Sequence, residues 1–93
     1  MSTPARAAVA NLLVRISGRA AGTLQQQIYR DIRRAILTGV LAPGARLPSS
    51  RVLADDLRVS RTTAVLALEQ LAAEGYLAGR RGAGTFVADD LPD

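Results

Sequence analysis

Residues 47–64, LPSSRVLADDLRVSRTTA, leave this chain few ways to fold. Ser49 and Ser60 each precede a stretch with apolar residues at helical spacing. Serine is among the preferred helix N-caps because its hydroxyl accepts a hydrogen bond from a first-turn backbone N–H. Only Arg58, Val59 and the capping Ser60 separate the two helices so defined. Helices joined that tightly cannot lie side by side as an antiparallel hairpin; they cross steeply, and the start of the second projects from the surface. Leu53, Leu57 and Val59 supply apolar anchors, and Ala54 supplies a small residue where the helices cross. Arg58 falls where a glycine commonly permits the left-handed backbone, at a cost of about 1 kcal/mol for any other residue. Ala64 fills a position more often occupied by Val or Ile, which predicts thin packing there.

Arg61, Thr62 and Thr63 stand at the projecting helix start. An exposed helix N-terminus favours anions, and a helix end inserted into a DNA major groove presents such residues to base edges and phosphates. The Arg61 fork matches guanine O6 and N7, and Thr62 and Thr63 suit phosphates or a thymine methyl. Leu66 lies on the same outward face. Arg51 occupies the first turn of the preceding helix, where a cation opposes the helix dipole, so it too points to an anionic partner. The bland reading of Arg61 is a solvated charge or a pair with Asp55 or Asp56.

The flanks build a domain around this pair. Thr23 and Gln26 form a capping-box pattern that opens a helix over residues 23–38, with Leu24, Ile28, Ile32, Ala35 and Ile36 on its inner face and Gly39 at its end. Arg30, Arg33 and Arg34 lie toward its other side, as a solvated face that adds phosphate contacts at most. Pro43-Gly44 is a type II turn signal, and the leucines around it anchor a short extended segment carrying Arg46. The second helix turns Val52, Leu53 and Leu57 inward. The third buries Ala64, Leu68, Leu71 and Ala72 and ends at Gly75. Tyr76-Leu77-Ala78 and Thr85-Phe86-Val87-Ala88 read as two strands around a basic, glycine-rich loop over residues 79–84. That loop is no P-loop: Thr85 takes the lysine position, and a strand rather than a helix follows. As a hairpin wing, it sends Arg80 and Arg81 toward a minor groove, with Gly82 allowing close backbone approach. Three helices followed by a small β-hairpin wing predict a mainly α, winged helix-turn-helix fold. The expected organisation is an N-terminal arm, partly flexible, over residues 1–22, the winged domain over 23–88, and the start of an acidic linker over 89–93. Within the arm, the apolar run from Leu12 to Ile16 is either a strand or a packed arm.

Composition narrows the function classes. Ninety-three residues make one small domain, which buries about 60–65% of the surface its unfolded chain exposes. The chain has 12 basic residues, all Arg, against 8 acids, for a net charge of +4. A GC-rich genome accounts for the missing lysine; an anion-binding surface accounts for the excess of Arg, whose forks match phosphate. With no lysine there is no Schiff-base chemistry, and with no cysteine there is neither disulfide nor thiolate metal site. With no histidine the usual neutral-pH acid/base is missing too. No nucleophile–base pair or metal set is legible, so the chain is not expected to be an enzyme. No segment approaches the roughly 18 apolar residues that span a membrane. The Arg-rich, acid-free first thirty residues imitate a targeting peptide, but Asn11 and Arg15 break the apolar segment, and a cytoplasmic location is expected.

In combination, the I-L-x-G-x-L-x-P-G-x-x-L-P-S-x-R stretch, V-S-R-T-T, E-G-Y-L and G-x-G-T-F-V resemble the DNA-binding domain of GntR-type bacterial transcription regulators over residues 22–87. The resemblance implies double-stranded DNA as partner, with contacts from Arg51, Arg61, Thr62, Thr63 and Gly82. Some members add an Arg where this chain has Val65. Ser49, Ser60, Arg46, Arg80 and Arg81 complete the expected DNA-binding set from the residues themselves. The opening TLQQQIYRDIRRAI, preceded by LLVRI, resembles the MocR-type branch. There a linker leads to an aminotransferase-like domain that binds pyridoxal phosphate as a sensor, so any such cofactor belongs outside this chain, as does homodimerisation. The resemblance is compatible with an excised domain and with a stand-alone form. The alternative function is a winged-helix protein–protein module that keeps the fold and binds no operator.

Overall fold

A computed structural model describes residues 23–92. Helix α1 (Leu24–Leu37) opens on the expected capping box: Thr23 Oγ1 accepts from the Gln26 backbone N–H at 3.1 Å, and the Thr23 N–H donates to Gln26 Oε1 at 3.0 Å. Its inner face buries Ile28, Ile32, Ala35 and Ile36, together with Gln27. Leu24 departs from expectation and is 42% exposed. It sits at N1, where the helix begins beyond the edge of the core, so periodicity alone placed it one turn too far inward. The helix ends at Leu37 with Thr38 as its cap.

The chain then turns through Pro43-Gly44. The Ala45 N–H donates to Ala42 O at 3.0 Å and Gly44 takes φ +81°, the geometry of the expected type II turn. Strand β1 (Arg46–Leu47) follows, then α2 (Ser50–Leu57) and α3 (Arg61–Ala73). Helix α3 packs against both α1 and α2. It buries Ala64, Ala67 and Leu71, while Leu68 is half-buried and Ala72, expected inside, is exposed. The buried positions form one stripe at i, i+3 and i+7 with Leu68 at i+4, and the helix's run of apolar residues gives several such registers equal standing in the sequence. Alanines at the contact let the helix axes approach closely, which answers the expectation of thin packing at Ala64, now fully buried.

Strands β2 (Leu77–Arg80) and β3 (Gly84–Val87) form the expected hairpin, reaching two residues closer to the tip on the first side and one on the second. The sheet has a third member, because β1 pairs antiparallel with β3 in the order β1-β3-β2. The short segment after the Pro-Gly turn thus ties the hairpin to the start of α2. Leu47, Leu77 and Val87 face the helices and join one core with Ile28, Ile32, Ile36, Leu41, Leu53 and Leu71. Beyond β3 the Ala88 N–H donates to Tyr76 O at 2.9 Å, and Leu91 packs partly buried against that core. The run from Leu12 to Ile16 and the rest of the arm lie outside the described residues.

Candidate nucleic-acid interface

The paired helices are assembled from their caps. Ser49 Oγ accepts from the Val52 N–H at 3.2 Å and Ser60 Oγ from the Thr63 N–H at 3.0 Å, so both serines hold helix starts in place. Between them, Arg58 takes the left-handed conformation at φ 56°, ψ 45°, the position where glycine was the expected residue. The Val59 N–H then reaches back to Ala54 O at 3.1 Å and closes the end of α2. The turn is three residues long, as expected, and Arg58 is its one residue with a left-handed backbone.

Side chains at these helix starts divide into two kinds. Arg51, Arg61 and Thr62 are exposed, and among the described residues no hydrogen bond or ion pair engages them. The expected rival pairing of Arg61 with Asp55 or Asp56 does not form. Thr63 behaves differently: it is half-buried, and its Oγ1 shares a 2.8 Å hydrogen bond with Ser60 Oγ. Its hydroxyl therefore belongs to the cap. Leu66 is on the outward side, 42% exposed.

On the wing, residues 81–83 form the tip, closed by the Ala83 N–H donating to Arg80 O at 2.9 Å. Gly82 has φ +78° and open space around it, so the backbone there is accessible to a close partner. Arg80 and Arg81, equivalent in the sequence, are not equivalent in space. Arg80 lies over the Phe86 ring, 4.7 Å from its centroid, whereas Arg81 is exposed at the tip. Arg46 stands opposite Phe86 in the β1–β3 ladder. The structure thus joins Arg46 to the hairpin, although sequence had placed it only beside the second helix.

A polar cluster that sequence reasoning missed holds the far end of α3. The Tyr29 hydroxyl donates to Glu74 Oε1, and Gln70 Nε2 donates to Glu74 Oε2 at 3.2 Å. Arg33 Nε donates to the Tyr76 hydroxyl at 3.0 Å, with the guanidinium 5.5 Å from that ring's centroid. The hydrogen bond from Tyr29, then that from Gln70, holds the Glu74 carboxyl below its usual range; the same Glu74 contact, aided by burial, pushes the Tyr29 phenol up. Arg33, read as part of a solvated face, is here a strut between α1 and the start of β2. Only the E-G-Y triplet, placing an acid and a phenol around the end of α3, hinted at this cluster. Among the described residues no group of acids could hold a metal ion, and no helix is long and apolar enough to cross a membrane.

Residues 24–87 match the family model of bacterial regulatory proteins, gntR family. The chain belongs to that family. It is 42% identical over 83 residues to the pyridoxine biosynthesis transcriptional regulator PdxR of Corynebacterium glutamicum, covering 89% of this chain and 18% of that protein. It is 46% identical over 70 residues to the probable rhizopine catabolism regulatory protein MocR of Rhizobium meliloti, covering 75% of this chain and 14% of that one. These relatives agree with the MocR-type character of the first helix, and the chain spans only a small part of their length. Among solved structures, YtrA from Sulfolobus acidocaldarius, a GntR-family transcription factor, shares the fold with a TM-score of 0.77 and 29% identity, covering 85% of this chain and 83% of that one. AraR(DBD), in complex with operator ORR3, matches with a TM-score of 0.64 and 33% identity over 69% of this chain and 77% of that one. The winged helix-turn-helix architecture read from the order of elements is therefore the architecture of this family.

Proposed function

We propose that this chain binds double-stranded operator DNA in a sequence-specific manner, as the DNA-binding part of a bacterial transcription regulator. The observation that carries this is the likeness to AraR(DBD), a domain seen on its operator. Helix α3 enters the major groove by its start and the hairpin reaches the adjacent minor groove. Arg61 reads a base, Thr62 sets register, and Arg51 neutralises a phosphate from the start of α2. Ser49 and Ser60 present these groups through their caps, and Thr63 acts with Ser60. Arg81 and the Gly82 backbone form the minor-groove contact. Arg46 and Arg80 contribute charge from the sheet.

The relatives are named as regulators, and we assign the chain no catalytic role. It works in the cytoplasm, where its DNA is. The fold unit is residues 23–88, with residues 1–22 as arm and 89–93 as the start of an acidic linker. Dimerisation and any pyridoxal phosphate belong to regions outside this chain, so the domain alone takes one half-site weakly. No observation favours a protein–protein module over DNA.

Selection from a pool of randomised duplexes at low salt tests this. A recurrent motif recovered with the wild-type chain is the expected result. A protein with intact helical circular dichroism that retains no duplex would overturn the proposal.

A further inference from the structure

The outer face of the sheet brings two cations together with no acid between them. Residues directly opposite in a ladder share a face, as do residues two apart on one strand. The pairings Arg46 with Phe86, Ala78 with Phe86, and Arg80 with Gly84 therefore put these five residues on one side. Leu47, Leu77 and Val87 occupy the other side, buried against the helices. Both arginines lean onto β3 from its two flanks. Arg80 lies over the Phe86 ring at 4.7 Å, while Arg46 passes over Gly84, its Nε only 3.0 Å from where a Cβ would stand. Gly84 and Phe86 are two residues apart on a strand, a span of about 7 Å. Two guanidinium groups drawn toward one such span repel. Among the described residues no hydrogen bond or ion pair relieves either of them.

We infer that this face is a phosphodiester cradle. Arg46 and Arg80, seated on Gly84 and Phe86, take neighbouring phosphates of one DNA strand, outside the groove contacts of α3 and the wing tip. The inference rests on the DNA-binding function proposed above and divides the labour of the wing. Arg81, with no seat, is left to the groove, while the two seated arginines track the backbone. Their platform is built from the exposed Ala78 and Gly84 and one half-buried ring. A planar guanidinium held in place by a ring loses less freedom on binding than a free one, so the seat is preorganised for a fixed anion. Arg46 also leads through Leu47 and Pro48 straight into the Ser49 cap of α2, which keeps the cradle on the same chain segment as Arg51.

Salt dependence of binding, by fluorescence anisotropy on a duplex selected with the wild-type chain, tests the cradle. R46Q and R80Q are each expected to reduce the slope of log affinity against log salt by about 0.9, the effect of one phosphate contact. Their loss of affinity should be equal on every duplex sequence, and thermal melting should confirm that both remain folded. F86L keeps both charges but removes the seat of Arg80, so affinity should fall several-fold with the slope unchanged. R46K and R80K should likewise keep the slope, which secures the comparison if a glutamine variant fails to fold. Wild-type slopes in R46Q and R80Q, or losses that depend on base sequence, would overturn the cradle and leave DNA binding standing. A wild-type chain that binds no duplex at low salt would instead remove the reading on which the cradle rests.

Discussion

At Arg58 the chain accepts a left-handed backbone where a glycine would be unstrained. Replacing it tests how much the turn tolerates. Arg58→Gly should raise stability by about 0.5–1 kcal/mol in a denaturant melt, since relief of strain outweighs the extra freedom of glycine in the unfolded chain. The Arg61 guanidinium, exposed and unengaged, tests readout. Arg61→Ala should relax discrimination at one base position by about 1–3 kcal/mol, visible as a flattened column in the selected motif. An unchanged motif would assign Arg61 to a phosphate. Residues such as these were legible because their chemistry is local: a cap, a turn and a projecting helix start follow from neighbours in sequence. Thr63 was not, because whether a threonine faces outward or closes back on its cap depends on one rotamer, which spacing does not encode.

Among elements, α3 is fastened at both ends by polar contacts and in the middle by small side chains. Ser60→Ala removes the acceptor for the Thr63 N–H and the partner of its hydroxyl, and should destabilise the domain by about 1–2 kcal/mol. At the other end the Tyr29–Glu74 contact makes stability depend on pH. Glu74 titrates lower in the folded chain than in the unfolded one, so its contribution is present above the ordinary glutamate range and is lost as pH falls through the folded value. Tyr29 titrates higher when folded, so its share is present below the ordinary tyrosine range and disappears as pH rises through the folded value. Melting temperatures of Tyr29→Phe should accordingly approach those of the wild type at both extremes of pH and differ most near neutrality. A constant difference across pH would mean the contact does not form. Sequence periodicity found all three helices and both hairpin strands. It did not find the pairing of β1 with β3, since two residues carry no strand pattern and only the returning hairpin supplies their partner. The exposed face of Ala72 was likewise hidden, because α3 is apolar on more than one side and its neighbours alone decide which side is buried.

For the molecule as a whole, a net charge of +4 carried by arginine as the only basic residue implies binding dominated by charge. Affinity for any duplex should fall steeply as salt rises, with a slope near −0.9 for each phosphate neutralised, while the selected motif stays the same. Pro92 rests against Gly75, its ring carbons 3.9 Å from where a Cβ would stand on the residue that follows the cap of α3. Leu91 is packed beside it on the core. The described residues after β3 therefore lie against the trailing end of the helix proposed to read DNA, beside the Glu74 contacts, and serve as its clasp.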